Sequence, residues 1–359
     1  MPVDSPAPAC HPGAMSARPG ALNLITDVPG LRVGQAEDAR VRTGVSVILP
    51  DRAAVCACDV RGGGPGTRET DALAAENLVD AVDAVVLSGG SVYGLAAADG
   101  VVAWLGARGR GYGLVTTPGV PPSPVVPAAI LYDLANGGDK AWGLDPPYRR
   151  LGIDAVQAAG AGFRLGTAGG GFGAMAGTLK GGTGSASIVT ADGITVGAVA
   201  CVNSFGSVVA PGGRTFWAAP FEVGDEFGGL GPTGLRAEPE DWGRAKGAPS
   251  AAGGAARQNT TIACVATDAV LTPAQAKRVA IMAQDGLARA VRPAHAPFDG
   301  DVVFALSTGR VALAEPAQRT IARIGSLAAD CLARAIARGV HAATPWSDQG
   351  PICWRDLAD

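Results

Sequence analysis

A chain of 359 residues with 47% hydrophobic content and a mean hydropathy of +0.22 can bury a large core, as one big domain or two ordinary ones, and is not intrinsically disordered. The net charge of −3, the pI near 5.7 and the absence of a Lys/Arg cluster interleaved with aromatics exclude a nucleic-acid partner. Seven scattered cysteines, mostly inside apolar runs, read as small buried hydrophobes in a reducing compartment, and no metal or cofactor is expected.

In chain order, residues 1–20 hold several prolines and no apolar stretch of signal-peptide type, and read as a disordered leader before one domain, 21–359. Strand-like runs follow at Val45–Leu49, Ala53–Val60, Ala84–Leu87, Ser185–Val189, Thr195–Val202, Thr261–Ala266 and Asp301–Leu306. Alanine-rich helical patterns lie at Asp71–Val82, Ser91–Ala107, Thr272–Ala290 and Glu315–Ala337, the third opened by a Thr-Pro cap. The fully apolar strands imply sheets covered on both faces, hence a layered α/β sandwich. No apolar stretch reaches the roughly 20 residues a membrane span needs, so the expectation is a soluble, cytoplasmic protein.

Two glycine-rich segments, Arg61–Thr67 and Gly169–Gly173, offer backbone amides but match neither a P-loop nor a dinucleotide fingerprint, and read as tight turns or close backbone approaches. Ser91, after Ser88-Gly89-Gly90, lacks the Gly-x-Ser-x-Gly spacing of a nucleophile elbow. His295 reads as a loop histidine or a general base. Asp299 and Asp301 are either turn formers or acids able to hydrogen-bond a hydroxyl or hold an ammonium; as close neighbours they would repel, raising one pKa. Lys180 is an isolated charge in a neutral segment. Asn203, ending an apolar strand, caps a turn or donates its amide to an oxyanion.

The most informative segment is Asn259-Thr260-Thr261-Ile262, where an Ala/Gly/Pro-rich stretch, 245–258, meets an apolar run. The stretch reads as a mobile linker. The tetrapeptide fits a strand start or a glycosylation acceptor, and it also fits self-cleavage: the Thr260 hydroxyl can attack the Asn259 carbonyl, which would leave Thr260 with a free amine. That amine, of reference pKa near 8, can serve as base toward its own hydroxyl.

Taken with Leu87–Leu95, Tyr132-Asp133, Val202-Asn203, Ala266-Thr267-Asp268-Ala269 and Asp299-Gly300-Asp301, the sequence from about Ile25 to Thr308 resembles the DmpA-type N-terminal-nucleophile hydrolases, which include aminopeptidases, amidases and nylon-oligomer hydrolases. The resemblance implies a four-layer αββα sandwich of DmpA/ArgJ type, self-cleaved into 1–259 and 260–359 fragments that stay together, as a homo-tetramer of processed heterodimers. It implies Thr260 as nucleophile, Asn203 as oxyanion donor, Tyr132 as a hydrogen-bonding neighbour, Lys180 as a supporting residue, and Asp299 and Asp301 as the acid pair of the nylon-oligomer branch. Aminopeptidase members carry a glutamate shortly before the Tyr-Asp pair, and here Pro127–Leu131 has no acid. The expected substrate is a small peptide or amide, cleaved through an acyl-enzyme. An acyltransferase of the ornithine acetyltransferase type and a non-catalytic ligand-binding protein remain as alternatives.

Overall fold

The computed structural model describes residues 17–114, 117–234, 236, 238–247, 259–346 and 350–358. In chain order the strands and helices are β1 (Leu31–Asp38), β2 (Thr43–Pro50), β3 (Ala54–Val60), β4 (Thr67–Arg68), β5 (Ala81–Val82), β6 (Val85–Ser88), α1 (Ala96–Gly106), β7 (Ala128–Ile130) and α2 (Tyr148–Gln157). They continue with β8 (Met175–Ala176), β9 (Leu179–Lys180), β10 (Gly182–Val189), β11 (Thr195–Asn203), β12 (Thr260–Ala269), α3 (Pro273–Ala290), β13 (Val302–Val311) and α4 (Ala317–His341).

A five-stranded sheet, β1-β2-β6-β7-β4, faces a six-stranded one, β10-β11-β12-β13-β3-β5. Period-two alternation along the strands divides the apolar residues between layers. On β12, Ile262, Cys264 and Ala266 enter the inter-sheet core with Ile48, Leu87, Leu131 and Phe304. Ala263 and Val265 point the other way, into a second core with Val279 and Leu287 of α3 and Leu332 and Ile336 of α4. A third core packs α1 and α2 on the five-stranded sheet through Val47, Val86, Val101, Leu105, Leu151 and Val156. Three apolar interfaces make four layers, the αββα sandwich that the sequence led us to expect.

The helices start where their caps dictate. Thr272 accepts from the Gln275 N–H while the Gln275 side chain accepts from the Thr272 N–H, with Pro273 in the first turn, so α3 begins as expected. The expected helix over 71–82 does not form. Only a single 3₁₀ turn, Asp71–Leu73, precedes β5, because the Asn77 side chain donates to the Asp71 carbonyl and Ala81 and Val82 pair with β3. Ser91–Leu95 is a 3₁₀ turn, because Gly90 and Ser91 sit at φ +87° and +52°, and α1 starts only at Ala96. Strands β1 and β7 and helix α2 lie outside the expected elements.

At the N-terminus, residues 1–16 of the expected leader lie outside the described residues. Arg18, near its end, is hydrogen-bonded to Val189 at the end of β10 rather than loose. Among the described residues no helix is long and apolar enough to cross a membrane.

Candidate active site

Antiparallel register places Asn203, the last residue of β11, directly opposite Thr260, the first of β12. Opposed residues share a sheet face, and by alternation from Ile262 that face is the inter-sheet one. The gap is closed from the other sheet: Asn203 Nδ2 donates to the Tyr132 carbonyl just beyond β7, at 3.0 Å. The Asn203 Oδ1 accepts from the Met175 N–H at 2.8 Å, which fixes which end of the amide is oxygen. Tyr132 therefore meets Asn203 through its backbone carbonyl.

Thr260 and Asn259 are buried. The Thr260 hydroxyl donates to the Asn259 carbonyl, and the same carbonyl accepts the Gly300 N–H at 3.2 Å. Gly300 has a steric reason to be glycine: a Cβ there would lie 2.7 Å from Thr260 Oγ1. Among the described residues Asn259 Oδ1 is buried with no hydrogen-bond partner, a condition that costs about 1–3 kcal/mol.

Asp299 and Asp301 flank Gly300 and both are buried. Asp301 accepts the Thr261 N–H at 2.8 Å through Oδ1, and through Oδ2 the His295 N–H at 3.1 Å, with His295 Nδ1 at 2.9 Å. His295 lies in the loop before β13, as one of its two readings expected, at φ +57°. Asp299 accepts from the N–H groups of Phe205 at 3.2 Å and Ala296 at 3.1 Å. Burial first, and the adjacent Asp301 charge second, push the Asp299 carboxyl up to about 7. In the intact chain these carboxylates accept from backbone N–H groups at the start of β12, just past β11 and in the turn before β13, while the Thr260 hydroxyl bonds to Asn259.

The glycine-rich segment after β3 supports this turn. The Arg61 and Gly64 N–H groups donate to the Asp301 and Asp299 carbonyls at 3.0 and 2.7 Å. In the second segment, the Gly170 and Gly171 N–H groups donate to the Ser46 and Thr183 hydroxyls, both at 3.0 Å, so these amides are occupied within the chain. The Ser88–Ser91 turn is held by Asp133, which accepts the Gly90 N–H and the Thr43 hydroxyl, at 2.8 and 2.7 Å. Burial pushes the Asp133 carboxyl up to about 6.

Lys180 does not bond to Thr260, Asn203 or either acid. Its fully buried ammonium donates to the carbonyls of Gly181 and Ala174 at 2.7 and 3.1 Å, beneath the loop that presents the Met175 N–H to Asn203, and lies over the Trp346 ring. Burial lowers its pKa to about 7.

One site residue was missed in the sequence. Lys246 belongs to the stretch expected as a linker, of which residues 248–258 lie outside the described residues. Ala245 is buried, however, and Lys246 N donates to the Phe205 carbonyl at 2.9 Å. The Lys246 ammonium lies 3.3 Å from the Asn203 carbonyl and 3.5 Å from Asn203 Oδ1. Burial lowers its pKa to about 7, against the opposing pull of Asp299. Lys246, Asn203, Tyr132, Asp133, Asn136 and Met175 are among the residues lining a cavity of about 60 Å³. A lysine among alanines and glycines carries no motif that could have revealed this.

The chain is similar to known proteins over most of its length. Residues 23–350 match the description of Peptidase family S58. An uncharacterized aminopeptidase of Mycobacterium tuberculosis is 45% identical over 355 residues, covering 94% of this chain and 98% of that protein. A 6-aminohexanoate-oligomer endohydrolase of a Kocuria species is 28% identical over 309 residues, with 82% and 77% covered. Two solved structures share the fold: a β-aminopeptidase of a Burkholderia species (TM-score 0.68, 23% identity, 96% and 94% covered) and an L-aminopeptidase D-Ala-esterase/amidase of Ochrobactrum anthropi, an Ntn-hydrolase variant (TM-score 0.65, 22% identity, 94% and 92% covered). With a family match over nearly its whole length, the chain belongs to peptidase family S58 and is a hydrolase of peptide or amide bonds.

Proposed function

We propose that the protein is a self-processing amidase in which Thr260 is first the agent of its own release and then the nucleophile. The observation that carries this reading is the buried contact of the Thr260 hydroxyl with the Asn259 carbonyl, polarised by the Gly300 N–H. In processing, Thr260 Oγ attacks the Asn259 carbonyl carbon, the C–N bond breaks, and the nitrogen takes the hydroxyl proton, leaving an ester. Water hydrolyses the ester to give the Asn259 carboxylate and a free Thr260 amine.

In turnover, the Thr260 amine takes the proton from its own hydroxyl as Oγ attacks the substrate carbonyl, and Asn203 Nδ2 donates to the developing oxyanion. The leaving amine carries off the proton, and water then releases the acyl group. We assign proton transfer between these steps to Asp299, on two supports: its carboxyl is pushed up to about 7 by burial and the Asp301 charge, and its backbone bridges that of Asn259.

Relatives described as aminopeptidases and as a 6-aminohexanoate-oligomer endohydrolase bracket the substrate as a small peptide or linear amide. The segment before Tyr132 supplies no acid to hold a substrate ammonium, so N-acylated amides should be accepted. Intact mass and denaturing electrophoresis test the first half: wild type should give fragments 1–259 and 260–359, and Thr260→Ala a single chain without activity. A Thr260→Ala chain that still splits would overturn the assignment. Turnover of L-alanyl and β-alanyl p-nitroanilides and their N-acetyl forms tests the second half. Acetylation should cost less than about tenfold in kcat/KM, and a loss of a hundredfold or more would show that a free amine is required.

A further inference from the structure

We propose that Lys246 is a positioning residue for catalysis, whose ammonium holds and polarises the Asn203 carboxamide. The inference rests on the assignment of Asn203 as oxyanion donor.

The geometry puts three groups on one amide. Met175 N–H and the Lys246 ammonium both face Asn203 Oδ1, and the Tyr132 carbonyl accepts a hydrogen bond from Nδ2. Positive charge beside an amide oxygen draws electron density toward it and makes the N–H groups stronger donors, an effect enhanced where water is excluded. The ammonium also lies 3.3 Å from the Asn203 backbone carbonyl, which fixes the end of β11. Lys246 is in turn held by its own N–H on Phe205, whose N–H is held by Asp299. Lys246, Asn203, the acid pair and Thr260 thus form one connected unit. Lys246 lies 13 residues before the proposed scissile bond.

The lowered pKa of the ammonium has a directional consequence. Lys246 is charged below about pH 7 and neutral above it. Among the described residues, the titratable groups that bear on it are Asp299, whose charge favours the ammonium, and Asp133 across the cavity, with Asp301 acting through its repulsion of Asp299. Its support of Asn203 is therefore present at low pH and lost as pH rises through about 7.

The test compares Lys246→Met, Asn203→Ala and the double variant, each as the purified, processed protein, with the p-nitroanilide that wild type cleaves best. Complete splitting into two fragments and a wild-type circular dichroism spectrum certify folding, and Lys246→Gln replaces Lys246→Met if the latter fails them. Lys246→Met should lower kcat about tenfold or more, leave KM within about twofold, and remove the decline in kcat above pH 7, while Lys246→Arg restores part of the rate. In the double variant the loss should equal that of Asn203→Ala alone, because two groups acting on one oxyanion do not add. If Asn203→Ala collapses kcat while Lys246→Met keeps at least half of it, or if the two losses add in full, the positioning role is overturned. If Asn203→Ala itself keeps wild-type kcat, the oxyanion assignment falls instead.

Discussion

At the scale of single residues, the proposed site makes specific demands on shape and charge. Gly300→Ala would thrust a methyl carbon to 2.7 Å from Thr260 Oγ1, so self-cleavage should slow at least tenfold, measured as the intact fraction on gels over time. Full processing at the wild-type rate would show that the hydroxyl attacks from elsewhere. Asp299, raised to about 7 by burial and by Asp301, binds its proton more tightly folded than unfolded. Its contribution to stability is therefore full below the ordinary carboxylate pKa near 4 and is lost as pH rises to about 7. In the uncleaved Thr260→Ala background, Asp299→Asn should raise Tm at pH 8 relative to its parent by more than at pH 5, read by thermal denaturation. An equal shift at both pH values would place the charged form at no disadvantage. Thr260, Asn203 and the two acids were legible because each sits in a short motif at a strand end. Lys246 and the Gly300 contact were not, since nothing in local sequence says which residues a sheet register will bring together.

At the scale of elements, buried charge ties α4 to the rest of the chain. Arg334 Nη2 and Nη1 reach Asn23 Oδ1 and the Ser187 carbonyl at 2.9 and 3.0 Å, and its guanidinium also meets Glu226 Oε1 and Oε2 at 2.5 and 2.9 Å. Side-chain exposure of 1% for Arg334 and 8% for Glu226 removes both from solvent. Burial alone would raise the Glu226 carboxyl, but the Arg334 hydrogen bonds and charge outweigh it and hold it below the ordinary range. That contribution is present above the unfolded pKa and is lost as pH falls through the folded one. Arg334→Met, leaving Glu226 short of its partner, should destabilise by about 3 kcal/mol in urea titration, and Glu226→Gln in the same chain should recover part of it. If the double variant is no better than the single one, the loss is one of packing. The elements themselves were readable wherever the pattern was long, as in α3 and α4. Helix α2 carries buried Tyr148, Leu151, Gly152, Ala155 and Val156 at helical spacing and was overlooked between prolines and glycines. The stretch 71–82 has alanine-rich composition but leaves Leu78 exposed and finds its order in pairing with β3.

At the scale of the molecule, the proposed cut falls at the start of a strand that is paired on both sides. Strands β12 and β13 lie between β11 and β3 in the six-stranded sheet, so fragment 260–359 would be bounded on both sides by strands of fragment 1–259. Separating the fragments would break two antiparallel ladders and open the cores beneath and above them. We therefore expect both fragments to co-elute in size-exclusion chromatography without denaturant, and to part only at urea concentrations that unfold the protein; elution of the small fragment alone in buffer would contradict this. By itself the sequence determined the layered α/β class, the Asn-Thr junction and the chemistry open to it, because apolar periodicity and the reactivity of a threonine beside a carbonyl are local properties. Only the tertiary structure decided that Asn203 stands opposite Thr260, that Gly300 polarises the bond between Asn259 and Thr260, and that a lysine from an apparent linker reaches the site, because strand register and the burial of charge depend on residues far apart in the chain.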